Sequence, residues 1–262
     1  SWQLSQARSV NRMVIDPVNP NVLIAATGDG VYRTSDGGAT WTRTLAPLSG
    51  WMDAKDIVMD PSNSNNLYVA VGFPWGDNNN GVYKSVNNGV TWSRLSVGLP
   101  ATATAVGRIS LAISASSPNT VYAGYSNNLG GGAGLLGMYR TVDGGSNWSI
   151  TATTPNFFGG QGWYDNVIAV DPANPNTVYA GGVSLYKSID GGITWASITN
   201  GIHTDFHAIA FRSGAVFVGC DGGVYKSTTA GSSWTSLNNG LVTMQFYKMG
   251  SDFNNANKAM GG

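Results

Sequence analysis

The chain has 262 residues, of which 42% are hydrophobic, so it is long enough to bury a sizeable core. Charged residues make up only 11%, with fourteen basic and fourteen acidic side chains, and every acidic one is Asp. This balance excludes nucleic acid and anionic lipid as main partners, and no apolar run is long enough to predict a membrane helix. High Gly and aromatic content favours a secreted or cell-surface protein.

One eight-residue motif recurs along the chain. It reads Ser or Thr, any residue, Asp, Gly, Gly, any residue, Thr and Trp, with variations. The spacing between successive Trp residues is close to the roughly 40–50 residues of one four-stranded propeller blade. The five copies are Thr34–Trp41, Ser85–Trp92, Thr141–Trp148, Ser188–Trp195 and Ser227–Trp234.

Each repeat is predicted to contain four strands, called A to D in chain order. Strand A precedes a Pro- and Asn-rich turn such as Asp171-Pro172, strand B follows it, strand C enters the motif, and strand D starts at the Trp. The predicted blades cover residues 5–46, 47–97, 98–153, 154–200 and 201–240.

Both ends of the chain resemble parts of further repeats. Residues 1–4 resemble a strand D, and residues 241–262 resemble strands A and B of a partial sixth blade. The sequence therefore predicts a single all-β propeller domain over 1–262, with four-stranded antiparallel blades. We expect five complete blades and a partial sixth in a seven-bladed ring, either truncated at the C-terminus or completed by another chain.

We interpret the repeated motif as a folding device. An Asp carboxylate accepts backbone N–H groups in a tight hairpin, Gly supplies positive φ, and the Trp anchors the hairpin in apolar surface. Five separated hairpins cannot converge on one substrate. Asn87 and Thr229 replace the Asp but keep an acceptor oxygen. The structural residues are Asp36, Asn87, Asp143, Asp190, Trp41, Trp92, Trp148, Trp195 and Trp234.

The motif resembles the Asp-box, or bacterial neuraminidase repeat, of sialidases, sortilin-type receptors and xyloglucan-cleaving glycosidases. The wider phrases Gln161–Asn166, Cys220–Tyr225 and Leu237–Leu241 look most like large secreted bacterial Asp-box proteins described as glycosyl hydrolase-like. The resemblance implies an extracellular propeller.

Two enzyme types within this resemblance carry different expectations. Sialidases carry an Arg-Ile-Pro segment and a Tyr/Glu pair, and the sequence has neither that tripeptide nor any Glu, so sialidase activity is not expected. Xyloglucan-type enzymes use Asp pairs in a cleft between two propellers. Asp29 differs in spacing from their early catalytic Asp and is not assigned.

Candidate functional residues lie where strand A opens onto the central channel. Alignment of the repeats places Asp53, Arg108, Asp165, Asp205 and Gln245 near equivalent positions. The three Asp residues are candidate catalytic groups, because a glycoside hydrolase needs two carboxyl groups, and Arg108 is a candidate ligand-binding residue. The alternative is a solvated polar pore with a few ion pairs.

The two histidines of the chain suggest a metal site. Strand alternation would place His203, Asp205 and His207 on one face, where they would form a half-site for zinc or another divalent metal. Alternatively, the imidazoles pair with Asp205 and nearby backbone without metal. No other cofactor is predicted. Cys220, in an apolar run, is interpreted as a small buried thiol.

Aromatic residues outside the motif complete the candidate ligand-binding set. They are Trp51, Trp75, Trp163 and Tyr164, whose faces suit sugar rings, although they could equally cover blade edges. The sequence predicts an extracellular recognition or assembly module for polysaccharide or a surface protein. A glycoside hydrolase that uses channel Asp residues and a structural surface or filament subunit are the alternatives.

Overall fold

The computed structural model describes residues 9–47 and 49–241, and the backbone of two further strands at 249–252 and 255–261. Apart from two short 3-10 helices, Ala103–Ala105 and Leu129–Gly131, the regular structure in these ranges is β-strand. Twenty strands form five four-stranded sheets, each made of four consecutive antiparallel strands. This arrangement confirms the prediction of an all-β chain with five complete blades. None of the described helices could span a membrane.

The five sheets follow one another along the chain. The first blade has β1 (Val10–Ile15), β2 (Leu23–Thr27), β3 (Gly30–Thr34) and β4 (Thr42–Leu45). The second has β5 (Ala54–Met59), β6 (Leu67–Val71), β7 (Gly81–Ser85) and β8 (Ser93–Arg94). The third has β9 (Val106–Ile113), β10 (Val121–Asn127), β11 (Leu135–Thr141) and β12 (Ser149–Ala152). The fourth has β13 (Val167–Val170), β14 (Val178–Gly181), β15 (Leu185–Ser188) and β16 (Ala196–Ser197). The fifth has β17 (Phe206–Arg212), β18 (Ala215–Cys220), β19 (Gly223–Ser227) and β20 (Thr235–Ser236).

The C-terminal part adds one more strand pair. Strands β21 (Met249–Asp252) and β22 (Asn255–Gly261) pair antiparallel. Two strands are what the sequence predicts for this part of a sixth repeat. The strand expected at residues 1–4 and the candidate Gln245 lie outside the described residues.

The hydrophobic core lies between neighbouring blades. Each of four clusters joins side chains of two consecutive blades, as where Ile24 of the first packs with Val69 of the second. The first strands of successive blades, β1, β5, β9, β13 and β17, contact one another in order. These strands therefore form the inner edge of the blades, beside the central channel.

Antiparallel strands send their connections alternately to two ends of the molecule. The five motif hairpins and the turns between the first and second strands lie at one end, which we call the hairpin face. The loops before the first strands of the second to fifth blades, and those between second and third strands, lie at the other end, the entrance face. The candidate residues from Trp51 to His207 belong to the entrance face.

Carboxylate contacts close the motif hairpins. The Asp190 carboxylate accepts hydrogen bonds from Thr194 N at 2.9 Å, Thr194 Oγ1 at 2.6 Å and Ser188 Oγ at 2.8 Å. These donors lower the pKa of Asp190 to about 2. Asn87 Oδ1 accepts from Thr91 N and Thr229 Oγ1 accepts from Ser233 N, each at 2.9 Å, so both replacements keep the acceptor.

In the second to fifth blades, the Trp at the end of the motif packs toward the preceding blade. The ring N–H of Trp92 donates to Thr44 Oγ1 at 3.1 Å, and that of Trp234 to the Ile198 carbonyl at 2.9 Å. Trp148 is buried in the cluster between the second and third blades. Trp195 packs against the cluster between the third and fourth blades, and Trp41 is half-buried.

A cross-blade clasp also fastens the hairpins. In the second blade, Tyr68 Oη and Lys84 Nζ both donate to the Gly144 carbonyl in the hairpin of the third blade, at 2.8 and 2.7 Å. Tyr68 and Lys84 face each other across β6 and β7, and the ammonium lies over the ring. In the fourth blade, Tyr179 and Lys187 hold the carbonyl of Ala230 in the same way.

Candidate functional site at the channel entrance

The predicted ring of polar residues lies at the starts of the innermost strands. Asp53 and Asp205 immediately precede β5 and β17, Asp165 lies two residues before β13, and Arg108 is the third residue of β9. Four successive blades therefore bring polar side chains to the channel entrance.

β-Bulges at the same strand ends turn further side chains toward this entrance. The pairing of the first with the second strand shifts at Asn11 in the first blade, Lys55 in the second and His207 in the fifth. A bulge leaves one residue unpaired and redirects its side chain. Asn11 and Lys55 reach Asp53 at 3.1 and 2.6 Å, and His207 reaches Asp165.

Ion pairs and a backbone hydrogen bond connect the entrance across the first three blades. Arg12 Nη1 lies 2.6 Å from Asp56 Oδ1, and Asp56 Oδ2 accepts a hydrogen bond from Leu111 N at 2.8 Å. Asp53 is half-buried between Asn11 and Lys55. These contacts are of the kind that the polar-pore alternative describes.

Arg108 connects this group to the fourth blade. Its Nη1 donates to the Tyr164 carbonyl, and its Nε has no hydrogen-bond partner among the described residues. Burial lowers the pKa of Arg108, whereas the charges of Asp56, Asp165 and Asp53 oppose that change. The guanidinium thus supplies positive charge among the entrance carboxylates.

Asp165 is fully enclosed. Its side chain has 0% exposed area, and neither carboxyl oxygen has a hydrogen-bond partner among the described residues. His207 Nδ1 lies 3.2 Å from Asp165 Oδ1, and His207 Nε2 lies 2.8 Å from Asp221 Oδ1. Burial raises the pKa of Asp165 to about 6; the charge of His207 opposes this rise, and those of Asp205 and Asp221 add to it.

Asp205 is held at the surface beside Asp165. It is half-buried, with a φ of 65°, a conformation that costs a non-glycine residue free energy. Its carboxylate accepts from Thr204 Oγ1 at 2.9 Å and Gln161 Nε2 at 3.3 Å. A proton on either carboxyl group would bridge Asp205 and Asp165.

The expectation that His203, Asp205 and His207 share one strand face was wrong. Strand β17 begins only at Phe206, and the bulge at His207 breaks the alternation. His203 Nδ1 instead contacts the Thr204 carbonyl at 3.0 Å. Within the described part of the chain, no three His, Cys or Asp side chains are placed to hold a metal ion. Divalent metal binding stays a prediction, which metal analysis of protein purified without a His tag would test.

Exposed aromatic side chains flank the carboxylates. Trp163 and Tyr164 lie against each other, with ring centroids 5.4 Å apart, and the rings of Tyr164 and His207 meet edge to face with centroids 5.1 Å apart. In the second blade, Trp51 stacks on Phe73 at 5.0 Å, and Trp75 is 67% exposed. Two aromatic surfaces therefore occupy the entrance face.

Asp56, Asp221 and Gln161 belong to the entrance but were missed from the sequence. Asp221 lies in the turn between β18 and β19, which strand alternation assigns to the entrance face, so the fold prediction contained a signal for it. Asp56 and Gln161 gave no comparable signal. Cys220 is half-buried, and burial raises the pKa of its thiol. Asp29 accepts hydrogen bonds from Thr27 and Tyr32.

No protein-family model matches the chain. A probable oligoxyloglucan-reducing end-specific xyloglucanase of Neosartorya fischeri is 27% identical over 184 residues, which cover 66% of this chain and 21% of that protein. A xyloglucanase of Acetivibrio thermocellus is 28% identical over 102 residues, covering 33% and 12%. The chain thus spans about a fifth or less of these curated relatives.

Solved structures show the fold more fully. An ancestral GH74 enzyme has a TM-score of 0.70 at 22% identity, covering 95% of this chain and 33% of its own. The GH74 xyloglucanase of Xanthomonas campestris has a TM-score of 0.59 at 19% identity, covering 86% and 37%. The structural neighbours of this chain are GH74 xyloglucanase β-propellers and propellers like YCF48 of Cyanidioschyzon merolae, which has a TM-score of 0.51 at 16% identity and covers 72% and 57%.

Proposed function

We propose that the chain is a propeller unit of a xyloglucan-active glycoside hydrolase and that its entrance face binds the polysaccharide. The observation that carries this proposal is that exposed aromatic rings, those of Trp163 and Tyr164, and the half-buried carboxylate of Asp205 lie on the same rim of the channel. Sugar rings stack on aromatic faces, and carboxylates accept hydrogen bonds from sugar hydroxyl groups. The names of the curated relatives support xyloglucan as the substrate class.

Hydrolysis requires two carboxyl groups on opposite sides of the glycosidic bond. Asp205 is the candidate that reaches the surface from the fifth blade, and Asp53 is the candidate from the second. Asp165 is too enclosed to touch a polymer. Under this proposal, Asp205 acts on the substrate and Asp165 lies behind it.

Binding and cleavage are separable by experiment. Xyloglucan oligosaccharides titrated into the 262-residue chain are expected to bind, and Trp163→Ala weakens the affinity about tenfold because one aromatic face is lost. Ile189→Ala, which truncates an exposed side chain on the hairpin face, is the matched control. Release of reducing ends that stops in Asp205→Asn would establish hydrolysis. Unchanged affinity in Trp163→Ala would contradict the proposed surface.

A recognition module without cleavage is the second candidate. It is favoured because one candidate carboxyl group, Asp165, is buried and another, Asp53, is paired with Lys55 at 2.6 Å. Oligosaccharide binding with no release of reducing ends would support this function. Under either function we propose an extracellular location and an Asp-box type of repeat.

We further propose that residues 1–262 form one domain and that another blade packs on the fifth. Lys226 lies over the Phe217 ring at 5.7 Å, in the position from which Lys84 and Lys187 hold the next hairpin. A further hairpin carbonyl would complete this clasp. Native mass spectrometry of the natural protein checks the idea, and a lone 27.4 kDa chain would contradict it.

A further inference from the structure

The carboxyl group of Asp165 is enclosed by the protein. It has 0% exposed area and no hydrogen-bond partner for either oxygen among the described residues. A buried carboxylate without donors costs several kcal/mol relative to water. The fold therefore either gives this group a proton or leaves it strongly destabilised.

His207 does not supply the hydrogen-bond donor that the Asp165 carboxyl group lacks. Its Nε2 lies 2.8 Å from Asp221 Oδ1, whereas its Nδ1 approaches Asp165 at 3.2 Å outside hydrogen-bond geometry. A neutral imidazole donates through only one nitrogen. If that nitrogen serves Asp221, then Nδ1 presents a lone pair toward Asp165 and supplies no donor to its carboxyl group.

The charged and titratable groups around Asp165 come from several elements. Asp205 precedes β17, His207 lies in it, Asp221 follows β18, and Arg108 lies in β9. Asp205 and Asp221 are carboxylates that favour a proton on Asp165, whereas the positive charge of Arg108, and that of His207 when its ring is protonated, opposes it. Burial has the largest effect and, together with the two neighbouring carboxylates, raises the pKa of Asp165 to about 6.

We propose that Asp165 is a positioning residue that carries a proton and donates it in a hydrogen bond to Asp205, thereby fixing the Asp205 carboxylate for the glycan. The backbone of Asp205 is already fixed in its left-handed conformation, since its N–H donates to the Val183 carbonyl and its own carbonyl accepts from Asp221 N, each at 3.2 Å. Thr204 and Gln161 donate to its carboxylate. The proton of Asp165 supplies a third donor from the protein interior, which leaves the solvent side of the carboxylate for ligand.

Infrared spectroscopy tests the proton without any ligand. At pH 5 the wild-type chain is expected to show a carbonyl band of a protonated, buried carboxylic acid, and Asp165→Asn lacks it. Asp171→Asn, a substitution in a hairpin-face turn, keeps the band and serves as the control. Absence of the band in the wild type at pH 5 would overturn the proposal.

Oligosaccharide binding tests the positioning role, which rests on the proposed function. Wild-type affinity falls as the pH rises from 5 to 8, because Asp165 loses its donor. Asp165→Asn, whose amide donates at any pH, binds with a flat pH profile, and Asp165→Leu binds about tenfold more weakly at pH 5. If Asn and Leu weaken binding equally, the positioning role is wrong. If the infrared band is present but the wild type binds no glycan, the proposed function fails while the protonated pair stands.

Discussion

Asp side chains have opposite environments on the hairpin face and on the entrance face. On the hairpin face, Asp143 and Asp190 are surrounded by hydroxyl, amide and backbone donors, which lower the pKa of each to about 2. On the entrance face, Asp165 is enclosed without donors and its pKa is raised to about 6. The repeated contacts stabilise hairpins in every blade, whereas the enclosed carboxyl group of Asp165 belongs to one blade alone. Repetition in this molecule therefore indicates folding, and departure from it marks the site that we propose as functional.

The largest effect is expected from the hairpin face. Trp148 is 4% exposed in the core between two blades, so Trp148→Ala lowers the free energy of unfolding by about 3–5 kcal/mol. Urea denaturation measures this loss. Under the proposed function, the glycan affinity of the folded molecules stays unchanged, and a matching loss of affinity would show that the two faces are not independent. Trp163→Ala, on the entrance face, is the control, with little change in stability.

The next largest effect is expected from Asp165→Asn, which changes how the free energy of unfolding depends on pH. Asp165 has a pKa of 3.8 in the unfolded reference and about 6 in the fold, so the folded state binds more protons between these values. Its contribution to stability is therefore complete below pH 3.8 and is lost as the pH rises through 6, by about 3 kcal/mol. The free energy of unfolding of Asp165→Asn, measured relative to wild type by chemical denaturation, therefore rises by about that amount when the pH is raised from 4 to 8. An equal difference at both pH values would refute the raised pKa.

Tyr68→Phe is expected to have an intermediate effect. The substitution removes the hydrogen bond to the Gly144 carbonyl and lowers the free energy of unfolding by about 1 kcal/mol. Tyr125 is a matched control, since its buried hydroxyl has no hydrogen-bond partner among the described residues. Tyr125→Phe therefore costs nothing or stabilises. Equal losses in the two variants would show that the clasp contributes nothing beyond packing.

The smallest effect is expected at Asp190. Its pKa is lowered to about 2, so its contribution is present above pH 3.8 and is lost as the pH falls toward 2, opposite to Asp165. Asp190→Asn keeps an acceptor, as Asn87 does naturally, and lowers the melting temperature less than Asp190→Ala. Thermal scans at pH 7 and pH 3 check this, and the Asn variant loses less stability on acidification than wild type.

The repeated motif was sufficient to predict the blades, because turn and hairpin chemistry depend on residues close in sequence. Aligning the turns also placed Asp53, Arg108, Asp165 and Asp205 at the inner strand starts. The face shared by His203 and His207 was predicted wrongly, because a bulge depends on pairing with another strand. The burial of Asp165 was also beyond the sequence, since it arises where the loop before β13 packs against the fifth blade.

The clasp that joins Tyr68 and Lys84 to the following hairpin has a consequence for how the chain comes apart. The hairpins of the third and fifth blades are each fastened by side chains of the blade before them. Because such a contact is lost when either of its two blades melts, the blades that it joins stabilise each other and are expected to unfold together rather than independently.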